Sequence, residues 1–281
     1  MRTVNMNEIS RVVKGLCMEA AWKLPDDVLA SLKSAIQREE SPLAKEILKQ
    51  IIDNDNLAAE EKVPMCMDTG VSIVFVDLGQ EVMLKGEDTL QEAIDRGVRE
   101  GFEEGYLRSS VVSDPIRRIN PGDNTPAVVH LRLVTGDKIK LKFMAKGGGA
   151  EHMSRMSMLS PTTTIEELEE YVVETVKIAG PNACPPVIVG VGLGGTYETV
   201  GLLAKRSLLR PLGSIHNDSF YADLERRWLE KINHIGIGPQ GLGGRTTALA
   251  VHIMTARCDM SNLPVGVNFQ CHAARQKFAI I

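Results

Sequence analysis

The sequence predicts a mixed α/β or α+β fold, in which a helical N-terminal segment is followed by mixed sheets with surrounding helices. Apolar residues recur at helical spacing on one face between Ile9 and Ala20. Pro25 and Pro42 stand where a second and a third helix would begin. After residue 60, runs rich in β-branched residues are mixed with helical stretches without strict alternation, which is typical of these two fold classes.

Individual elements can be assigned along the rest of the chain. Ala127–Val134 and Lys138–Met144 flank a Thr-Gly-Asp turn and are expected to form a hairpin. Thr164 and Glu167 have the spacing of a capping box, and they open a helix that Gly180 would close. The other strands expected are Val71–Val76, Pro186–Val191, Leu249–Met254 and Val265–Gln270, and the other helices are Tyr197–Leu209 and Asp218–Asn233. Because no repeat or low-complexity linker interrupts residues 1–281, we expect one domain, with 1–60 as a helical sub-region.

The composition excludes several classes of protein. The chain has 281 residues, of which 43% are hydrophobic and 24% charged, as in ordinary soluble proteins. A net charge of −4 gives no reason to expect nucleic-acid binding. No stretch approaches the roughly 18 apolar residues that span a bilayer, and the first residues lack the apolar core of a signal peptide. The five scattered cysteines fit a reduced chain, so we expect a cytoplasmic protein without membrane contact.

Three cysteines, Cys66, Cys184 and Cys271, stand at the ends of predicted strands, where functional residues are common. Structural zinc sites usually take thiolates in closely spaced pairs, and these three are widely separated in the sequence. Three thiolates without a fourth suit a four-iron cluster with one open iron, which Lewis-acid chemistry requires. Spacing alone leaves the alternatives open: unrelated cysteines, a zinc-stabilised interaction protein, or one iron–sulfur site.

Two glycine-rich segments offer other functions. The segment from Gly190 to Gly195 matches G-x-G-x-x-G between a strand and a helix, which makes a nicotinamide-dependent oxidoreductase the alternative from a different class. A tight strand-to-helix turn explains the same glycines, and no strand ending in an acidic residue follows about 20 residues later. Lys146 and the three glycines after it form either an anion cradle or a mobile loop.

Seven segments together point to a known family. They are Cys66-Met67-Asp68-Thr69-Gly70, Leu107-Arg108-Ser109-Ser110-Val111-Val112, Asn120-Pro121-Gly122-Asp123-Asn124-Thr125-Pro126, Lys146-Gly147-Gly148-Gly149, Asn182-Ala183-Cys184-Pro185-Pro186, Gly236-Ile237-Gly238-Pro239-Gln240-Gly241 and Gln270-Cys271-His272. In this order they resemble the class I, iron–sulfur-dependent fumarate hydratases and the related L-tartrate dehydratases. The resemblance covers about residues 8 to 276, and it is to the alpha subunit or the N-terminal domain, whose fold it implies.

The resemblance implies a hydro-lyase that reversibly hydrates fumarate to L-malate in the tricarboxylic acid cycle. L-tartrate, or another small hydroxy-dicarboxylate, is the alternative substrate. Cys66, Cys184 and Cys271 are then the ligands of a [4Fe-4S] cluster with one open iron, which acts as a Lewis acid. Asp68 and Arg108 look like substrate-binding groups, Asp68 also as a catalytic acid–base group, and Gly149 looks like a backbone contact to a substrate carboxylate. An arginine can bind a carboxylate as a fork.

The resemblance also implies a partner. Dehydration next to a carboxylate needs a base for the carbon-bound proton. In the family this base and further cations come from a second chain or domain, which we do not find up to Ile281. We therefore expect a beta subunit in an α2β2 heterotetramer, and an inactive isolated chain. Met67 and Asp259 depart from the family, which commonly has Gln and His there, and this bears on the choice of substrate.

Overall fold

The protein, as a computed structural model that describes residues 2–281, divides into two compact units. The first contains the chain up to Pro25, Asn54–Gly148 and Ala273–Ile281, and the second contains Asp26–Asp53 and Gly149–His272. The helices are α1 (Met6–Trp22), α2 (Asp26–Arg38), α3 (Pro42–Glu61), α4 (Leu90–Glu104), α5 (Gly148–His152), α6 (Ile165–Ala179), α7 (Tyr197–Ser207) and α8 (Ser219–Asn233). The strands are β1 (Arg2–Asn5), β2 (Val71–Gly79), β3 (Val82–Lys85), β4 (Val128–Val134), β5 (Ile139–Lys146), β6 (Arg155–Leu159), β7 (Val187–Leu193), β8 (Ala248–Thr255), β9 (Leu263–Gln270) and β10 (Gln276–Ile280).

The first unit is built on a four-stranded sheet in the order β10-β5-β2-β4, together with a small parallel pair of β1 and β3. Helix α1 starts after Asn5, whose side chain accepts a hydrogen bond from the main-chain nitrogen of Asn7 at 2.8 Å. The buried face of α1 follows the periodicity seen in the sequence, and it packs in one apolar core with Val74 of β2 and Phe143 of β5. This core supports the sheet whose strand β2 follows the loop bearing Cys66.

The prediction that β4 and β5 form a hairpin is wrong. Both strands form, but β2 lies between them, parallel to β4 and antiparallel to β5. The turn after β2 enters the connection between the two strands: Gln80 N donates to the Val134 oxygen and Glu81 N to the Gly136 oxygen, at 2.9 and 3.1 Å. The physical reason is burial, because the central residues of β2 are buried whichever face they point to, whereas β4 is largely exposed and takes the edge.

The second unit is built on the sheet β6-β9-β7-β8, in which every residue of β7 is buried. The capping box of Thr164 and Glu167 opens α6, and Gly180 ends it with a positive φ, as the sequence predicts. Helix α8 places Trp228, which is fully buried, in the core that includes β7 and β9. Strand β7 runs parallel to β8 and antiparallel to β9, so the segment that precedes β7 lies beside the segment that follows β9.

The predicted fold class is confirmed, since helices surround mixed sheets and three helices occupy most of the first sixty residues. Helix α2 begins at Asp26, one residue after Pro25, and helix α3 begins at Pro42 itself, so both prolines mark helix starts as the sequence predicts. Six elements were missed by the sequence analysis: β1, β3, α4, α5, β6 and β10. Within residues 2–281, no helix combines the length and the apolar character that a membrane crossing requires.

Candidate active site

The loop that carries Cys66 and Asp68 connects α3 to β2, and it is fixed at both ends. Before Cys66, Met65 N donates to the Ala21 oxygen at 3.0 Å, and the Met65 oxygen accepts from the side-chain amide of Asn54 at 3.0 Å. Cys66 itself is half-buried and Met67 is 74% exposed. The loop therefore presents the residues around Cys66 to the outside, while Met65 just before it is anchored to α1 and α3.

Asn124 joins this loop to the segment that carries Arg108. It is fully buried and has a positive φ of 55°. Its side-chain oxygen accepts from Ser110 N at 2.7 Å and from Val111 N at 3.1 Å, and its amide donates to the Gly70 oxygen at 3.2 Å. One buried amide thus fixes the end of the Cys66 loop relative to the segment after Arg108.

Asp68 and Arg108, for which the resemblance implies contact with a substrate, lie close together in the first unit. Arg108 Nη2 lies 3.8 Å from Asp68 Oδ1, and the side chains of Arg108 and Asp68 are 52% and 35% exposed. The other carboxylate oxygen of Asp68, Oδ2, accepts from Gly148 N at 2.7 Å. Asp68 is therefore oriented by a main-chain group, while both charges remain accessible to a solute.

Cys184 and Cys271 lie at adjacent strand ends in the second unit. Cys184 ends a 3-10 turn over Gly180–Ala183 and has a left-handed backbone with φ of 54°. Its oxygen lies 3.4 Å from the nitrogen of His272, which donates to it, so the residue after Cys271 contacts Cys184 directly. The glycine-rich loop of Gln240 supports the same turn, since Gln240 N and Nε2 donate to the Pro185 oxygen at 2.8 and 3.0 Å.

Gly149 lies against the turn that precedes Cys184. A Cβ added at Gly149 would lie 2.5 Å from the main-chain oxygen of Asn182, a distance that requires the backbone to shift. The main chain at Gly149 and the Cys184 turn are therefore in close contact, which requires glycine.

Backbone packing accounts for the first two glycines of the G-x-G-x-x-G match. Gly190 and Gly192 lie within β7, not in the turn after it, and added Cβ atoms would collide with main-chain atoms of α7. In a dinucleotide site the first glycines form the turn that approaches the pyrophosphate. The structure thus explains these glycines by the close approach of a helix to a strand.

The two remaining cysteines lie in different environments. Cys17 is buried on α1, and burial raises the pKa of its thiol, so it is inert. Cys258 is exposed, and its sulfur lies 3.7 Å from the Asn262 oxygen. Asp259 accepts from Ser261 N at 2.8 Å and from the Ser261 hydroxyl, and these bonds lower the pKa of its carboxyl. Asp259 is thus a turn-forming residue here.

Among residues 2–281, no three His, Cys, Asp or Glu side chains form a group arranged to hold a metal ion. Of the three cysteines singled out by the sequence, Cys66 belongs to the first unit and the other two belong to the second. The structure does provide thiol groups that could serve as metal ligands. All five cysteines are thiols; on their loops Cys184 is exposed and Cys66 and Cys271 are half-buried, whereas Cys17 is buried.

Comparison with known proteins decides the family. The family described as fumarate hydratase (Fumerase) matches residues 10–280. The chain belongs to the fumarate hydratase family, a family of hydro-lyases. The chain is also 42% identical, over 273 residues and 96% of each chain, to a putative L(+)-tartrate dehydratase subunit alpha from Methanocaldococcus jannaschii. It is 34% identical, over 275 residues, to the L(+)-tartrate dehydratase subunit alpha of Escherichia coli (strain K12), covering 96% of this chain and 90% of that one.

In this member of the fumarate hydratase family, two residues that contact the loop of Asp68 were not predicted from the sequence. Asn124 lies in a segment noted in the sequence, and its position after Gly-Asp was a signal for a turn, but its bonds to Gly70 and Ser110 are not local. Arg275 follows Cys271 closely, and its side chain donates from Nη1 to the main-chain oxygen of Asp68. Nothing in its sequence context indicates that contact.

Proposed function

We propose that this chain is the alpha-type subunit of a hydro-lyase that reversibly hydrates fumarate to L-malate. The observation that carries the proposal is the accessible pair of Asp68 and Arg108, 3.8 Å apart, in a chain of the fumarate hydratase family. One cation and one carboxylate are the groups that a hydroxy-dicarboxylate requires: a partner for its carboxylate and a partner for its hydroxyl.

Arg108 binds one carboxylate of the substrate. Its guanidinium is half exposed, and at 3.8 Å from Asp68 it is not committed to a close ion pair. A planar guanidinium can engage both oxygens of a carboxylate at once, which fixes the orientation of the substrate as well as its position.

Asp68 acts on the hydroxyl side. Gly148 N fixes its Oδ2, which leaves Oδ1 to accept a hydrogen bond from the substrate hydroxyl or to exchange a proton with it. Gly149 contributes its main-chain N–H to a substrate carboxylate, since glycine at this position leaves the N–H unobstructed.

Cys66, Cys184 and Cys271 bind a [4Fe-4S] cluster. The support from the structure is the donor set: three exposed or half-buried thiols on loops, two of them at adjacent strand ends. Cys17 and Cys258 are excluded as ligands, the first because it is buried and the second because the resemblance gives it no counterpart. When bound, the cluster supplies a Lewis acid at the iron that no cysteine ligates.

A beta subunit supplies the base that removes the carbon-bound proton, with further cations for the substrate, in an α2β2 heterotetramer located in the cytoplasm. The support is that two relatives, each matched over 96% of this chain, are named as a subunit alpha. The isolated chain is then inactive, because the base comes from the other subunit.

L(+)-tartrate is the second candidate substrate, because the relatives from M. jannaschii and E. coli are named for its dehydration. Tartrate differs from malate by one added hydroxyl. A site that hydrogen-bonds a hydroxyl discriminates strongly against the analogue that lacks it. Assignment to the tricarboxylic acid cycle follows only if fumarate is the better substrate.

The test is anaerobic purification of the chain, alone and with its partner chain, followed by assays with fumarate, L-malate and L(+)-tartrate. We expect iron and sulfide in the complex, activity only with the partner, and a clear preference in kcat/KM either for fumarate and L-malate or for L(+)-tartrate. An iron-loaded complex inactive on all three substrates would contradict the proposed activity. Strong activity of the lone chain would contradict the need for a partner.

A further inference from the structure

Arg275 is a buried cation beside Asp68 in the first unit. Its side chain is 2% exposed, although arginine is rarely buried without a specific role. Its Nη1 donates to the main-chain oxygen of Asp68, and within residues 2–281 its Nε has no hydrogen-bond partner. Its own main chain is fixed, since Ala145 N donates to the Arg275 oxygen at 3.0 Å. Burying a charged guanidinium is energetically unfavourable, so its observed position must be stabilised by the contacts it makes there.

The guanidinium also lies beside the glycine loop that fixes the carboxylate of Asp68. A Cβ added at Gly147 would lie 3.1 Å from Asp68 Oδ2 and 3.3 Å from Arg275 Nη2. The next residue, Gly148, donates its N–H to the same Oδ2 at 2.7 Å. Asp68 is therefore fixed at two points, its main-chain oxygen by Arg275 and its carboxylate by Gly148.

We infer that Arg275 is a positioning residue that holds Asp68 in the orientation needed for the substrate, without binding the substrate itself. Arg108 is 52% exposed on its side chain and can meet a solute, whereas Arg275 cannot, because it is buried and bonds the main chain. The two arginines beside Asp68 thus have different roles. This inference rests on the proposed function only in giving Asp68 a substrate to contact.

The first arm of the test measures the loop and does not depend on activity. Hydrogen exchange is followed by mass spectrometry in the full chain for peptides covering 64–70 and 147–149, in wild type, Arg275→Gln, Arg275→Lys and the control Arg11→Gln. Arg11 is an exposed arginine of the same unit. We expect exchange in both peptides to rise about tenfold or more in Arg275→Gln, less in Arg275→Lys, and not at all in the control.

The second arm measures kinetics in the complex with its partner. Misplacing Asp68 is expected to lower kcat by about tenfold to a hundredfold in Arg275→Gln while KM stays within about twofold. Arg275→Lys keeps a cationic donor and should recover part of kcat. A rise in KM at constant kcat would overturn the inference, because it would make Arg275 a substrate-binding group.

The two arms separate the inference from the proposed function. If the wild type is inactive but the two peptides loosen in Arg275→Gln, the proposed function fails and the positioning role stands. If exchange in both peptides is unchanged, the positioning role fails whatever the activity. Should Arg275→Gln unfold, as judged by exchange rising throughout the chain, Arg275→Lys decides: unchanged exchange and unchanged kcat would overturn the inference.

Discussion

Replacing Glu39 with glutamine is predicted to destabilise the second unit near neutral pH and to do so less in acid. Glu39 follows α2 and is 2% exposed. Its Oε2 accepts from Arg245 N, Thr246 N and the Thr246 hydroxyl at 3.0, 2.8 and 2.8 Å, and its Oε1 accepts from the main-chain nitrogens of Glu40 and Ser41 at 2.9 and 3.2 Å. These bonds attach the glycine-rich loop before β8 to the end of α2.

The magnitude follows from the ionisation of Glu39. Burial alone would raise the pKa of its carboxyl, but the hydrogen bonds from Arg245, Thr246 and Ser41 outweigh burial and lower the pKa from 4.5 to about 2. A shift of this size corresponds to about 3 kcal/mol, which we discount to about 2 kcal/mol because Arg245 and Glu40 beside it are exposed and solvent screens part of the interaction. Since the folded pKa is depressed, this stability is present above the unfolded pKa and is lost as pH falls from about 4.5 toward 2.

The assay is urea unfolding of Glu39→Gln and its parent, followed by the fluorescence of Trp228 in a Trp22→Phe background. Trp228 is buried in the second unit and reports that unit alone, whereas Trp22 belongs to the first. Glutamine mimics the protonated carboxyl, so the difference in unfolding free energy should be about 2 kcal/mol at about pH 7 and smaller at about pH 3.5. The exposed neighbour Glu40→Gln is the control. A difference below about 0.5 kcal/mol at neutral pH, or one independent of pH, would refute the reasoning.

Three further predictions concern the site. Cys184→Ser should lower the iron and sulfide of the anaerobically purified chain while Cys258→Ser leaves both unchanged; equal iron in the two variants would remove Cys184 from the ligand set. Arg108→Met should raise KM for the dicarboxylate by about tenfold to a hundredfold through loss of a charge-assisted fork, and an unchanged KM would contradict its role. Asn124→Ala should lower the unfolding free energy by about 2 kcal/mol, because the Gly70 oxygen and the Ser110 nitrogen lose a buried partner; chemical denaturation measures it, and a loss under about 0.5 kcal/mol would be against it.

The elements that sequence patterns predicted well are those whose causes are local. The capping box of Thr164 and Glu167 is such a case, because four consecutive residues contain both hydrogen bonds of the cap. The same signal at Thr89 and Glu92 opens α4 and was readable, but it was overlooked. The short strands β1, β6 and β10 were missed because each is stabilised by a distant strand, and their own sequences carry little periodicity.

The wrong hairpin shows the limit of local inference. The sequence from β4 to β5 has the turn residues and the alternation of a hairpin, and both strands exist. What decides their pairing is β2, which is apolar on both faces and therefore takes the centre of the sheet between them. The contacts to Asp68 could not be predicted from local sequence either, because Gly148 and Arg275 lie far from it along the chain.

The loose pairing of Asp68 with Arg108 is itself an argument for a binding role. Elsewhere in the first unit, Arg132 and Asp77 form a fork in which both bonds are 2.9 Å, and such an arginine would have to leave its aspartate before it could bind another carboxylate. Arg108 stays at 3.8 Å and 52% exposed, a pair worth about 0 to 1 kcal/mol. Binding a substrate carboxylate there would sacrifice almost nothing, because Asp68 retains its bond from Gly148 N. The separation that makes the pair weak as a stabilising contact is what leaves both groups available to a ligand.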